Sequence, residues 1–389
     1  MKKLLSALLT GVMAVSLVGC SSNSSSKGST ASNGSSSAKS DMKIAMVTDY
    51  GDITDQSFNQ TTYEASKAFA EANGYEFTYK KPATNADADR VASIEEAIED
   101  GFNVIVMPGY AFAPAVVEVA PMYPDVKFFA LDVAQADLDG AANTENWSSD
   151  NVYSAVYKEE LSGYMAGYAA VKLGYKKLGF LGGMAVPSVI RFGYGFVQGA
   201  DEAAKELSLT DVTINYVYGG QFNGDADITA RMDTWYGAGV EAVFACGGGI
   251  YTSAAEAAAK VGGKVIGVDT DQSPIIDADY GEGITITSAM KGLAATVKST
   301  LTGIEEGKWE SDYAGKIEAL GLVSENPEEN FVQLPSTTQF GDGFTEDDYK
   351  QLVSDMYNGK VKVDDTSDVE LAESFGTVVK VTDEGNIKG

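Results

Sequence analysis

The stretch MVTDYGDITDQSFNQ, Met46 to Gln60, closes a short apolar run with three acids and follows them with an aromatic ring and an amide. Ionised, Asp49, Asp52 and Asp55 accept hydrogen bonds and donate none; Phe58 offers a flat apolar face, and Asn59 offers a donor and an acceptor. Asp and Ser are also favoured where helices start, so a plain strand-to-helix turn would use the same residues. The sharper alternative is a loop that reads a ligand. Further along, Asp132 and Asp269 each end an apolar run, Phe222 follows Gly219-Gly220-Gln221, Gly247 opens a glycine triplet, and Lys291 adds a cation.

The chain has no histidine. Ser-His-Asp and Cys-His catalysis, HExxH zinc sites and imidazole bases are therefore unavailable. An enzyme built from this sequence would need paired carboxylates, such as Asp49 with Asp132, or a lysine nucleophile. With 56 acids present, proximity of two carboxylates in sequence carries little weight. The formal charge of -28 repels phosphate backbones, which argues against nucleic acid polymers as partners and leaves a neutral small ligand open. No cofactor or metal site is expected. GYGFVQG (193–199) is not GxGxxG and falls in a helical pattern, and GGGIYTS lacks the lysine of a phosphate-binding loop.

The elements that must position these residues alternate between short β-rich runs and helical patterns. KIAMVTD, YEFTYK, NVIVMPG and VKFFALD read as strands separated by helices, and the pattern restarts with EELSGYMAGYAAVKLG, KLGFLGG, VTINYVYGGQF, EAVFACGGG and GKVIGVDTDQ. Continuous Val, Ile and Phe runs suggest strands covered on both faces, hence parallel sheets. The fold expected is α/β and two-lobed, of the periplasmic-binding-protein type I kind: two Rossmann-like parallel-sheet lobes joined by a hinge. Residues 42–155 form lobe 1, completed by about 284–310, and residues 156–283 form lobe 2, completed by part of 311–389. GITITSAMKG (283–292) reads as a strand leading into a helix, and TEDDYKQLVSDMYNGK as a surface helix.

One correspondence between the halves suggests an internal duplication. A strand ending in Gly, a helix and a strand ending in Asp recur, with 23 residues from Gly109 to Asp132 and 20 from Gly249 to Asp269. Ligands of open α/β sheets bind outside the carboxyl ends of the strands. If the lobes face each other, Asp49, Gly109, Asp132, Gly183, Phe222, Gly247, Gly248 and Asp269 converge on one cleft.

The N-terminal segment fixes the expected compartment. Lys2 and Lys3 precede the apolar run LLSALLTGVMAVSLVG, too short to span a bilayer comfortably, so residues 1–19 read as a signal peptide. LVGC resembles a lipobox that leaves Cys20 as a lipid-carrying N-terminus, and residues 20–41 form a Ser- and Gly-rich tether. The mature protein is expected at the cell membrane, lipid-anchored on the extracytoplasmic face and monomeric. The second cysteine, Cys246, lies in an apolar run and reads as a core residue.

The lipobox, DYGDITDQSFNQ, EELSGYMAGYAA, KLGFLGGMAVPSVIRFGYGFVQGA, GGQFNGD, VIGVDTDQ and SAMKG together resemble the basic membrane protein (BMP) family. These are PnrA-like lipoproteins, substrate-binding proteins of ABC transporters that take up purine nucleosides. The likeness runs from Cys20 to about residue 305. It implies that Asp49 and Asp55 read the base edge beside Asn59, that Phe58 and Phe222 sandwich the purine, and that Asp132 contacts the base. It also implies that Asp269 and Lys291 hold the ribose hydroxyls, with Asp271 competing for that role, and that permease subunits are the macromolecular partners. Two other classes stay open: a clamp of the same fold for a sugar or another small solute, and a carboxylate-based nucleosidase or glycosidase. The anchor, the repeat and the missing histidine argue against the enzyme.

Overall fold

The structure is a computed structural model that describes residues 41–388, apart from Tyr50 and residues 369–371. The signal peptide, Cys20 and all of the tether but Asp41 lie outside the described residues.

The chain opens with β1 (Lys43–Val47), α1 (Phe58–Asn73), β2 (Glu76–Lys80), α2 (Asp87–Glu99), β3 (Val104–Pro108), α3 (Ala113–Val119), β4 (Lys127–Leu131), α4 (Gln135–Ala142) and β5 (Val152–Tyr157). It continues with α5 (Glu159–Lys172), β6 (Lys177–Gly182), α6 (Pro187–Glu206), β7 (Thr213–Tyr218), α7 (Ala226–Gly237), β8 (Ala242–Cys246), α8 (Tyr251–Val261), β9 (Lys264–Asp269), α9 (Ser273–Tyr280) and β10 (Thr285–Lys291). The remainder holds α10 (Leu293–Glu305), β11 (Ile317–Leu320), β12 (Val332–Gln333), α11 (Glu346–Tyr357) and β13 (Lys380–Asn386).

Two sheets result. The first has six strands in the order β11-β5-β4-β3-β1-β2, the second seven in the order β12-β10-β9-β8-β6-β7-β13. Among the described pairings between strands only β10 with β12 is antiparallel. The period of two along each strand places alternate residues in opposite cores. In the first sheet Ile44, Met46, Val104 and Val106 pack with Phe69, Leu293 and Val297 from α1 and α10. Ala45, Val47, Ile105 and Met107 face Ile94, Val116 and Leu138 from α2, α3 and α4. The second sheet repeats the arrangement, with Phe180, Tyr216 and Phe244 against α5, α6 and α11, and Leu181, Val217 and Val243 against α7 and α8.

The division of residues between the lobes differs from the sequence expectation in two respects. Thr285–Lys291, expected to help complete lobe 1, pairs in parallel with β9 in the second sheet. The reason is local: β9, α9 and β10 form one more βαβ crossover, and successive strands joined in this way usually lie side by side. Only α10, after the crossing at Gly292, packs on lobe 1. Conversely, residues 317–320 return to lobe 1 as β11 beside β5. The chain thus passes between lobes at Lys158, Gly292 and Gly321. Backbone hydrogen bonds join these crossings: Lys158 N–H to Leu320 O, Phe331 N–H to Gly321 O, and Gly292 N–H to Phe331 O, at 2.9, 3.1 and 2.7 Å.

Candidate functional site

The carboxyl ends of β1, β3, β4, β6, β8, β9 and β10 point into one cleft of about 650 Å³ between the lobes. Asp49, Asp55, Phe58, Asn59, Asp132, Phe222, Gly247, Asp269 and Lys291 all line it, so the structure brings together every ligand-contact residue expected from sequence. Tyr110, Val186, Val189 and Phe192 line it too and escaped the sequence reading. The last three belong to PSVIRFGYG and its approach, where apolar residues next to glycines look like core.

The two halves of the cleft are built alike. Asp132 and Asp269 both take left-handed backbones, φ 62° and 65°, and Gly109 and Gly247 both have positive φ, 128° and 142°. The equivalent of Gly109 is therefore Gly247, not Gly249, because the glycine directly after the strand makes the turn. Glycine is required at both places. A Cβ on Gly109 would fall 1.8 Å from Asp49 Oδ2, and one on Gly247 would fall 2.9 Å from the Phe222 ring. Asp tolerates the left-handed region better than most residues, at a cost of about 1–2 kcal/mol, and such outliers gather at functional sites.

Asp55 has a different job from the base reading that the resemblance implies. One carboxylate oxygen accepts from Ser57 N–H and Gln60 N–H at 2.9 and 3.0 Å, the other from Asn59 N–H and Asn59 Nδ2 at 3.0 and 3.2 Å. A carboxylate has about four acceptor positions, and these are taken by the start of α1. Burial raises its pKa, with the backbone donors opposing. What Asp55 delivers to the cleft is Asn59, whose Oδ1 is buried without a hydrogen-bond partner.

The centre of the site is a buried charge cluster. Lys291 Nζ bonds Asp132 Oδ2 and lies 3.1 Å from Glu159 Oε1, and Glu159 Oε2 accepts from Arg191 Nε at 2.6 Å. Phe58, Tyr157 and Phe192 surround the ammonium with ring centroids 4.9, 5.5 and 5.5 Å away, positions suited to cation–π attraction. Burial opposes the charge on Lys291, but Asp132, Glu159 and Asp269 outweigh it and hold the ammonium protonated. Burial pushes Asp132 up to about 6, with Lys291 holding it lower than burial alone would. Asp269 is raised by burial as well, and accepts from Ser57 Oγ at 2.6 Å. Glu159 is lowered: burial works against ionisation, and Arg191 and Lys291 overcome it.

Glu159 and Arg191 were invisible as a pair in the sequence. They meet because α5 and α6 approach closely: a Cβ on Gly163 would come within 2.2 Å of Phe192 O, and one on Gly195 within 2.1 Å of Glu160 O. The small residues of EELSGYMAGYAA were the available signal. Several bonds cross between lobes, namely Lys291 to Asp132, Ser57 to Asp269, and Gln272 Nε2 to Gln56 O at 3.1 Å. Asp271 is turned away, bonding Ser273 and Thr337. Among the described residues no group of acids or cysteines is disposed to hold a metal ion.

A family model described as ABC transporter substrate-binding protein PnrA-like matches residues 42–322. The chain belongs to this family. Relatives are similar to it over most of its length. The ABC transporter nucleoside-binding protein BmpA of Lactococcus lactis subsp. cremoris is 29% identical over 321 residues, spanning 78% of this chain and 84% of the relative. Basic membrane protein B of Borreliella burgdorferi is 27% identical over 319 residues, 79% of this chain and 85% of the relative. In fold, the PnrA-like chain is similar to an ABC transporter solute-binding protein from Aeropyrum pernix, with TM-score 0.67 and 21% identity over 86% of this chain and 96% of the other. The architecture is that of the type I periplasmic binding proteins.

Proposed function

We propose that this substrate-binding protein carries a purine nucleoside in its interlobe cleft and delivers it to the permease of an ABC transporter. The observation that carries the reading is the pairing of Phe58 from lobe 1 with Phe222 from lobe 2 across a cleft that also holds buried, unpartnered acceptors, Asn59 Oδ1 and Asp132 Oδ1. A purine has flat faces for the rings, and stacking of a base on an aromatic side chain contributes about 1–3 kcal/mol. Its edge presents N–H donors to Asn59, Asp132 and Asp49. The cis hydroxyls of ribose suit Asp269 as acceptor and Lys291 as donor, Lys291 retaining donor capacity beyond its bond to Asp132. Asp55 serves the site by holding the loop and Asn59 in place. A relative carrying the name nucleoside-binding protein supports the ligand class.

Ligand contacts drawn from both lobes stabilise the closed form over the open one, and closure is what the permease reads. The LVGC sequence supports a lipid anchor at Cys20 and an extracytoplasmic location. The lobe division that follows is 42–157 with 293–320 for lobe 1 and 159–291 with 322–388 for lobe 2. The acids of the cleft act as ligand acceptors and ion-pair partners, and no reaction is ascribed to them.

Calorimetric titration of the tetherless protein with adenosine, guanosine, inosine, uridine and ribose tests the reading. Tight binding of a purine nucleoside, lost in Phe58→Ala and Asp269→Ala, is the expected result. Binding of ribose alone, or of uridine as tightly as the purines, would move the function to another solute.

A further inference from the structure

The family match ends at residue 322, yet the chain continues and returns to the second sheet beside the loop that carries Phe222. β13 adds an edge strand to the second sheet, parallel to β7. Glu384 in this strand bonds both Arg231 Nη1 and Trp235 Nε1 of α7, which ties it to the lobe. Beyond it the chain lies against the loop 219–225 that carries Phe222.

The contacts fall on both sides of that ring. Ile387 N–H donates to Tyr218 O at 2.8 Å, where the loop leaves β7. Lys388 occupies the space a side chain at Gly220 would need, with its Cβ 3.1 Å and its carbonyl oxygen 3.3 Å from that Cβ position. Lys388 Nζ then bonds the carboxylate of Asp225. Asp225 is the other end of the loop: it caps α7 through Asp227 N–H and Ile228 N–H, both at 3.0 Å, and accepts from Gln221 Nε2 at 2.7 Å. The Phe222 ring lies against glycines, since Cβ atoms on Gly183 and Gly247 would fall 2.4 and 2.9 Å from it. Glycines make room for the ring, which also packs against the core of the second lobe, and the backbone of the loop that carries it is held by the tail at Tyr218, Gly220 and Asp225.

We propose that the C-terminal tail is a positioning element for the ligand-stacking ring: Ile387 and Lys388 brace the loop at Gly220 and Asp225 and so fix Phe222 at the height and angle that a bound base requires. The inference rests on the reading of Phe222 as a stacking residue. Lys388 touches no ligand; it acts through the loop.

Two variants test it, removal of residues 387–389, which leaves β13 intact, and Lys388→Glu, which sets a like charge beside Asp225. Each should weaken purine nucleoside binding roughly 3- to 10-fold, a fraction of the whole stacking contribution. In a Phe222→Ala background the same changes should have no further effect, because the tail acts through that ring. Hydrogen exchange of the 219–225 amides in the ligand-free protein should speed up in both variants. Unchanged exchange in the loop would overturn the proposal, and so would a loss of affinity of equal size with and without Phe222. If the parent protein binds no purine nucleoside, the ligand assignment fails, and loop exchange still decides whether the tail positions the loop.

Discussion

Asp132 and Asp269 sit at equivalent turns of two separate sheets, Asp132 directly after β4 and Asp269 as the last residue of β9, each with a left-handed backbone. They face each other through Lys291 and Ser57: the ammonium bonds Asp132, the hydroxyl bonds Asp269, and Lys291 and Ser57 each come from the lobe opposite their partner. A conformation that disfavours most side chains is thus kept twice, in the two places where a carboxylate must turn into the cleft.

Substitution at Asp269 should separate strain from function. Asp269→Asn keeps a residue that tolerates positive φ and retains an acceptor for Ser57, so the protein should melt close to the parent while nucleoside affinity falls at least tenfold. Asp269→Ala should lose the same affinity and in addition about 1 kcal/mol of stability. Equal melting of the two variants by calorimetry would show that the backbone at 269 is not strained.

The rings should behave as a pair. Phe58→Ala and Phe222→Ala are each expected to cost about 1–3 kcal/mol of purine nucleoside binding, read by titration calorimetry. Phe58 also packs beside Lys291, its ring centroid 4.9 Å from the ammonium, so its loss should be the larger of the two. With the neutral nucleoside proposed above as ligand, the affinity of the parent should change little between low and high salt; a steep decline would indicate an ionic ligand.

Lys291→Met should be far more damaging to the fold than an exposed lysine would be. It leaves Asp132 and Glu159 buried without their shared cation, and breaking a buried pair in this way costs about 3–5 kcal/mol. The check is denaturant unfolding of the ligand-free protein. Asp132→Asn in the Lys291→Met background should recover part of the loss, by removing one of the stranded charges.

Much of this site was legible because it sits where topology dictates. Asp49 and Asp132 follow, and Asp269 ends, strands that are recognisable as continuous apolar runs, and parallel sheets present such ends to ligands. Glu159 and Arg191 were not legible: a Glu at a helix start and an Arg in a helix ordinarily face water, and only the glycine-mediated approach of α5 to α6 buries Glu159 and half-buries Arg191. The resemblance implied a base contact for Asp55, yet the bonds its carboxylate makes all run back into the start of α1. β13 escaped because KVTDEGN has a single buried apolar residue, Val381, and its register comes from backbone bonding to β7. β10 was placed in the wrong lobe because a strand followed by a helix reads the same whichever sheet it joins.

Protons should move stability and binding in opposite directions. Glu160 is buried in the α5–α6 contact, with Oε2 lacking a hydrogen-bond partner, and burial followed by the charge of Glu159 pushes it up to about 8. Asp132 is pushed up to about 6. A carboxyl whose folded pKa exceeds its unfolded value binds its proton more tightly when folded, so the folded state gains stability as pH falls from the folded pKa towards the unfolded one, near 4. Acidification from pH 8 to pH 5 should therefore raise the melting temperature. The gain should be smaller in Glu160→Gln, mostly through loss of the part between pH 8 and 6. Carboxylates held low oppose this only in more acidic solution; Asp201, whose burial is outweighed by Lys205 and Thr377, lies at about 2. Ligand affinity should run the other way. Below about pH 6 protonation of Asp132 weakens its pairing with Lys291 and turns a ligand acceptor into a donor, so nucleoside binding should weaken while the protein becomes harder to melt. Parallel changes in both quantities across this range would rule out Asp132 as the group that links them.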